Sequence, residues 1–268
     1  MVLFMNDVKT TISKKEYFGQ MDLYEIEIPD GVTEIGDWAF ADCSNLQMLL
    51  FPMSVQRIGR QIVEGCDKLQ MIVVRGLKCG EEMKYLLTHV FRELDFPISE
   101  SISEVGTTVW MEQMDVRILS FLQSDDAEGF TPFLAGGEED YADVQETREA
   151  YCIRRRMRKL VFVSERLLLR ELFPVQEVSM FAFMQYLESC CMNTDVLLGA
   201  LAFVKKRRLT FLELYGALGV LTKEICRHIL ERSMEHKEQQ DAELRTWLLN
   251  YMNTLAGDSP AIWDDWKL

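Results

Sequence analysis

The chain has 268 residues, 48% of them hydrophobic, and 43 acidic against 29 basic side chains give it a formal net charge of −14. That length accommodates two domains with a sizeable core, and the negative excess argues against nonspecific attraction to nucleic acid or anionic membranes. No run reaches the roughly 18 uninterrupted apolar residues of a membrane span, and Met1 to Asp7 lacks the basic start and longer apolar run of a signal peptide. Seven cysteines (Cys43, Cys66, Cys79, Cys152, Cys190, Cys191 and Cys226) are an odd number without paired spacing, which fits a reducing compartment. The expected location is the cytoplasm.

From the N-terminus, the first pattern is a worn unit with Ile12, Tyr17, Leu23, Ile26 and Ile28 at its apolar positions. A clear unit follows, Ile28-Pro29-Asp30-Gly31-Val32 through Ile35-Gly36, Ala39-Phe40, Cys43 and Leu46. It returns 23 residues later as Phe51-Pro52, Val55, Ile58-Gly59, Val63, Cys66 and Leu69. A fixed period of this length predicts a solenoid, in which each coil buries its apolar side against its neighbours. Ser13 stands where the later units carry Gly36 and Gly59. Leu69-x-x-Ile72-x-Val74 opens another turn, after which Glu81 to Leu87 reads as a helix capping the array.

These residues resemble the BspA-like, or treponemal-type, leucine-rich repeats: a strand, a proline, Val-x-x-Ile-Gly, Ala-Phe and Cys-x-x-Leu. Residues 28–46 match throughout, whereas the second copy has Ile62-Val63 in place of Ala-Phe. The resemblance covers about residues 10–98 and implies a curved ladder of short strands serving as a binding scaffold.

In such strands the leucine positions point inward and the residues between them point out. One outward row therefore reads Glu25, Met48, Met71, and the other Glu27, Leu50, Val73. Each large apolar side chain is worth about 1.5–3 kcal/mol when buried, so four together predict a cover. The candidates are the chain's own helical region and a protein partner, with methionine supplying adaptable contact. These six residues form the candidate protein-binding face, with the glutamates at its polar edge.

Pro97 to Ser101 reads as a seam. Residues 99–150 then contain 13 Asp and Glu against Arg117 and Arg148. Within them a helix is expected at 109–122 and an exposed acidic loop at 124–137. Glu138 to Phe173 reads as a long helix stopped by Pro174. Further helices are expected at 175–191, at 196–208 capped from Asn193, from Thr210 through a Thr-x-x-Glu213 capping box to Leu221, at 223–236 opened by Thr222, and at 241–255. Their pairing is loosely similar to ankyrin-like helical modules joined to BspA-like repeats in bacterial proteins, through Leu209 to Glu213 and Ile225, Ile229 and Leu230. Trp263 and Trp266 close the chain.

Catalysis would need a nucleophile near a base or converging carboxylates, and neither stands at recognisable spacing. His89, His228 and His236 are scattered, and no His-Glu-x-x-His or Cys-x-x-Cys predicts a metal. Adjacent Cys190 and Cys191 read as helix packing. Two basic clusters, Arg154 to Lys159 and Lys205 to Arg208, could hold phosphates, but the acidic segment 125–149 offers internal counter-charge.

The expectation is therefore an α+β protein: a solenoid of about three repeats with a helical cap (1–98), an acidic connecting segment (99–137) and an all-α domain (138–268). Its expected role is a noncovalent scaffold or adaptor for a protein partner, without enzymatic activity, cofactor or metal. The alternatives are an enzyme with its site in the helical region, and nucleic-acid binding through the basic clusters.

Overall fold

A stack of coils needs two things from every repeat: a row of apolar residues facing inward, and a backbone that can approach the coil before it. The computed structural model, which describes residues 2–4, 9–94, 102–130, 146–235 and 242–255, meets both. Two compact units make up the chain, the first Met1–Phe121 with Leu168–Gln176, the second Leu122–Leu167 with Glu177–Leu268.

In the first unit, strands β1 (Val2–Phe4), β3 (Glu25–Glu27), β5 (Met48–Phe51) and β7 (Met71–Val74) form a parallel sheet in the order β1-β3-β5-β7. Shorter strands β2 (Thr11–Ile12), β4 (Glu34–Ile35) and β6 (Arg57–Ile58) form a second parallel ladder. The repeated aliphatics fill the space between, with Ile12, Leu23, Ile26, Ile28, Val32, Phe40, Leu46, Leu49, Phe51, Val55, Ile58 and Ile72 all fully buried. β1 is one strand more than the sequence pattern predicts, and its Leu3 pairs with Ile26.

The glycines answer to close approach. A Cβ on Gly59 would lie 2.4 Å from the Asp37 nitrogen, and one on Gly36 would lie 2.5 Å from the Lys14 nitrogen. In both cases the intruding backbone belongs to the preceding coil. Ser13 stands in the first of these turns, with no earlier coil at that position among the described residues, and so keeps its side chain.

Each turn also carries left-handed residues at the same places. Lys15, Trp38 and Gln61 have φ of 57°, 53° and 50°, and Gly19, Asp42 and Gly65 have φ of 71°, 57° and 70°. Such a conformation costs a non-glycine residue roughly 1–2 kcal/mol. The offset is a hydrogen bond along the stack: Lys15 and Trp38 donate their N–H groups to Asp37 and Arg60 carbonyls, and Gly19 and Asp42 donate to Ala41 and Glu64. Side chains repeat the ladder, with Trp38 donating to Gln61 at 2.8 Å and Arg57 to Glu34 at 2.6 Å. The repeat cysteines do more than fill space, since the Cys43 and Cys66 thiols donate to the Tyr17 and Phe40 carbonyls at 3.1 and 3.2 Å.

The array ends on a helix, as the sequence predicts. Helix α1 (Met83–Glu93) packs on β7 through Leu86, Leu87, Val90 and Phe91, the last stacked on Phe51 at 5.3 Å. Thr88 Oγ1 accepts a hydrogen bond from the Ile72 N–H at 2.9 Å. An edge-strand donor that would otherwise be buried without a partner is thereby satisfied. Helix α2 (Thr108–Gln123) follows, burying Trp110, Met111, Met114 and Ile118 in the first unit.

The second unit is helical: α3 (Arg148–Leu168), α4 (Glu177–Cys191), α5 (Thr194–Phe203), α6 (Arg208–Ala217), α7 (Lys223–Glu235) and α8 (Ala242–Thr254). Asn193 and Thr222 cap α5 and α7 as expected, each accepting the N–H three residues on at 3.2 Å. The expected capping box at Thr210 does not form. α5 stops at Phe203, a single 3-10 turn spans Lys205–Arg207, and α6 starts at Arg208, which leaves Thr210 inside the helix. α3 ends at Leu168, six residues before Pro174. Gly216 permits close helix packing, since its Cβ would lie 2.9 Å from Tyr251; Gly219, with φ of 71°, follows the end of α6. The seam at 97–101, the acidic run 138–140, His236 and Trp263 to Trp266 lie outside the described residues.

Candidate functional site: the outward face of the parallel sheet

The strands bury alternate residues, so the intervening ones stand outward, and the register lines them up. Glu25 pairs with Met48 and Met48 with Met71; Glu27 pairs with Leu50 and Leu50 with Val73. All six residues nominated from the sequence therefore lie on one face, in two straight rows, each of them partly exposed. Because β1 pairs with the far side of β3, with Val2 opposite Glu25 and Phe4 opposite Glu27, the glutamates sit on an inner strand. They are not at the edge of the sheet.

Sequence reasoning missed Arg75. It follows β7 at the place occupied by Pro29 and Pro52 in earlier coils, and its side chain reaches back across the stack. It donates to the Ile28 carbonyl and forms ion pairs with Glu27 at 3.2 Å and Asp30 at 3.7 Å. The signal available was an arginine where the repeat otherwise places proline. Glu25, two residues before Glu27 on the same face, has no ion-pair partner among the described residues. What this arrangement offers is flexible apolar surface and carboxylates.

The other candidate chemistries are placed elsewhere. His89 is buried on α1 in the first unit, and His228 is exposed on α7 in the second. Among the described residues no group of three or more His, Cys, Asp or Glu could hold a metal ion. Burial raises the Cys66 and Cys191 thiols to about 12 and those of Cys190 and Cys226 to about 11, far from the thiolate form that nucleophilic chemistry needs.

The basic cluster of α3 finds the counter-charge expected from segment 125–149. Arg154 pairs with Glu146 at 2.7 Å, Arg155 with Glu128 at 3.1 Å and Arg156 with Asp126 at 2.5 Å. Lys159, whose side chain is 1% exposed, bonds Asp126 at 2.8 Å and the Ser124 carbonyl at 2.6 Å. In the second cluster Arg207 pairs with buried Glu165, while Lys205 and Lys206 are exposed. Burial raises the Glu165 carboxyl and lowers Arg207 to about 10, and each is the other's counter-charge. Arg154, Arg155, Arg156, Lys159 and Arg207 are thus paired within the helical unit. No helix of the described residues is long and apolar enough to cross a membrane.

Comparison with known proteins bears on the first unit. A family described as BspA type Leucine rich repeat region (6 copies) matches residues 10–121. The match runs past the 10–98 of the resemblance read from sequence and ends where the first stretch of the first unit ends. No curated protein and no solved structure matches, and no family is found for the helices after residue 121. Residues 10–121 are a BspA-type leucine-rich repeat region, the N-terminal part of an α+β chain whose C-terminal part is mostly helical.

Proposed function

We propose that this chain is a noncovalent protein-binding scaffold or adaptor, and that its partner docks on the outward face of the four-stranded sheet. Leucine-rich repeats commonly mediate protein binding. The single observation that supports this surface is the alignment of Met48, Leu50, Met71 and Val73 in adjacent register on two neighbouring strands, each partly exposed. Parallel sheets are usually covered on both faces, and four contiguous apolar side chains gain by exclusion of water when a partner covers them. Methionine suits such a role because its unbranched thioether adapts to different contours.

The test is photo-crosslinking in extracts of the source organism, with a crosslinking side chain at position 73 of the full chain. A discrete protein adduct is expected, and it should disappear in Met48→Gln/Met71→Gln. That double variant should melt within about 1 kcal/mol of the parent, because neither methionine is core. An adduct that persists in the double variant, or one equally obtained from exposed Val178 of the helical unit, would contradict the assignment.

A further inference from the structure

Each row of the face carries one glutamate and two apolar residues, and the ion pairs distinguish the two glutamates. Glu27 is held by Arg75 at 3.2 Å, which also draws in Asp30. Glu25 stands next to Met48 in register without an ion-pair partner among the described residues. The face thus presents one unpaired carboxylate on β3, then apolar side chains on β5 and β7, one strand spacing apart.

Resting on the reading of this face as the docking surface, we propose that its occupant is an amphipathic α-helix lying across the strands, with a lysine or arginine over Glu25 and apolar side chains one and two turns further on. Two physical matches single out this partner. Neighbouring strands are about 4.8 Å apart, while residues three or four apart in a helix are separated by about 4.5–6 Å along the axis. A helix crossing the sheet at right angles therefore sets one side chain of its stripe over each strand. The basic residue meets Glu25, the residue at i+3 or i+4 meets Met48 and Leu50, and the residue at i+7 meets Met71 and Val73. The span from β3 to β7 is two strand spacings, about 10 Å, which equals the rise over seven helical residues. The second match is charge: a half-buried carboxylate beside apolar surface favours a cation that arrives with its own apolar neighbours and disfavours an acidic residue there. An extended peptide running along the strands would place all its alternate side chains over one or two coils, and would not meet Glu25, Met48 and Met71 in sequence.

A displayed library of helical 16-residue peptides, randomised on one face, tests this against the full-length chain. Counter-selection uses Met48→Gln/Met71→Gln, which keeps the net charge and so removes peptides held only by the acidic surface. The expected result is enrichment of Lys or Arg at i with apolar residues at i+3 or i+4 and at i+7, and about tenfold weaker binding of the recovered peptides to Glu25→Lys. Face-dependent binders without basic preference, or with undiminished affinity for Glu25→Lys, overturn the helix-and-cation proposal while leaving the docking surface intact. Recovery of no binder that depends on Met48 and Met71 overturns both.

Discussion

Gly59→Ala should lower the stability of the repeat unit by about 3 kcal/mol, the upper range for forcing atoms into a packed site. The added methyl carbon would lie 2.4 Å from the Asp37 nitrogen and 2.5 Å from the Gly36 carbonyl carbon. Neither is the end of a side chain that could turn aside, so the coils themselves must separate. Separation would stretch the β4–β6 ladder, including the Gly59 N–H bond to the Ile35 carbonyl at 2.7 Å. Gly19→Ala is the control. Gly19 has φ of 71° but nothing within 4 Å of a built Cβ, so the change costs only the left-handed strain of about 1 kcal/mol. Asp42, in the equivalent place one coil on, already bears a side chain there. Thermal melting of the repeat unit, followed through exchange protection of β5 and β7, should drop on the order of 10 °C for Gly59→Ala and much less for Gly19→Ala. Equal drops would contradict the close-approach account.

In the helical unit the largest effect is expected at Asp126. Lys159 is buried with its Nζ on Asp126 Oδ1 and the Leu122 and Ser124 carbonyls. Removing the carboxylate leaves a buried ammonium without counter-charge, and Asp126→Ala should cost about 3 kcal/mol. Asp126→Ala/Lys159→Met should recover most of that, since the pair is then removed as a unit. Burial alone would raise the Asp126 carboxyl, but hydrogen bonds from Arg156 and Lys159 hold it below the usual aspartate value. A depressed folded pKa means that the contribution is complete above the unfolded value of about 3.9 and is lost as pH falls through the folded one. Urea denaturation of the helical unit from pH 5 to pH 2 should therefore show a steeper loss for the parent than for Asp126→Ala below about pH 4. Identical slopes would mean that the pair contributes nothing to folding.

Much of the repeat unit was legible because its determinants are single residue types at fixed spacing. Inward aliphatics, Gly36 and Gly59, and the Cys43/Cys66 pair each name their position, and alternation along a strand then identifies the outward rows. What the pattern hid depends on backbone geometry. Lys15, Trp38 and Gln61 share a left-handed conformation and no chemistry, and the bonds that Lys15 and Trp38 donate to the next coil are made by backbone groups that every residue type carries. β1 is short, and only its register, with Leu3 opposite Ile26, ties it to the repeat. Arg75 reaches carboxylates more than forty residues earlier, which only the stacking of coils brings near. In the helical unit, Asn193 and Thr222 are caps as their types suggest, yet Thr210-x-x-Glu213 satisfies the same rule and sits inside α6. That helix begins directly after the turn at Lys205–Arg207, in which Arg207 pairs with Glu165, a residue far away in the sequence. The counter-charges of the α3 arginines were visible as an acidic segment but not as the particular partners Asp126, Glu128 and Glu146.

Oxidative footprinting of the methionines in the full-length chain tests the docking face most directly, because the protein carries its own references. Met21 and Met192 are 65% and 78% exposed, whereas Met83 and Met114 are 2% and 0% exposed. A brief pulse of hydroxyl radicals, read by mass spectrometry of peptides, should oxidise partly exposed Met48 and Met71 at rates well above those of Met83 and Met114 and below those of Met21 and Met192. If Met48 and Met71 are instead as protected as Met114, the chain covers its own sheet face, and that face is an internal interface with no room for a partner.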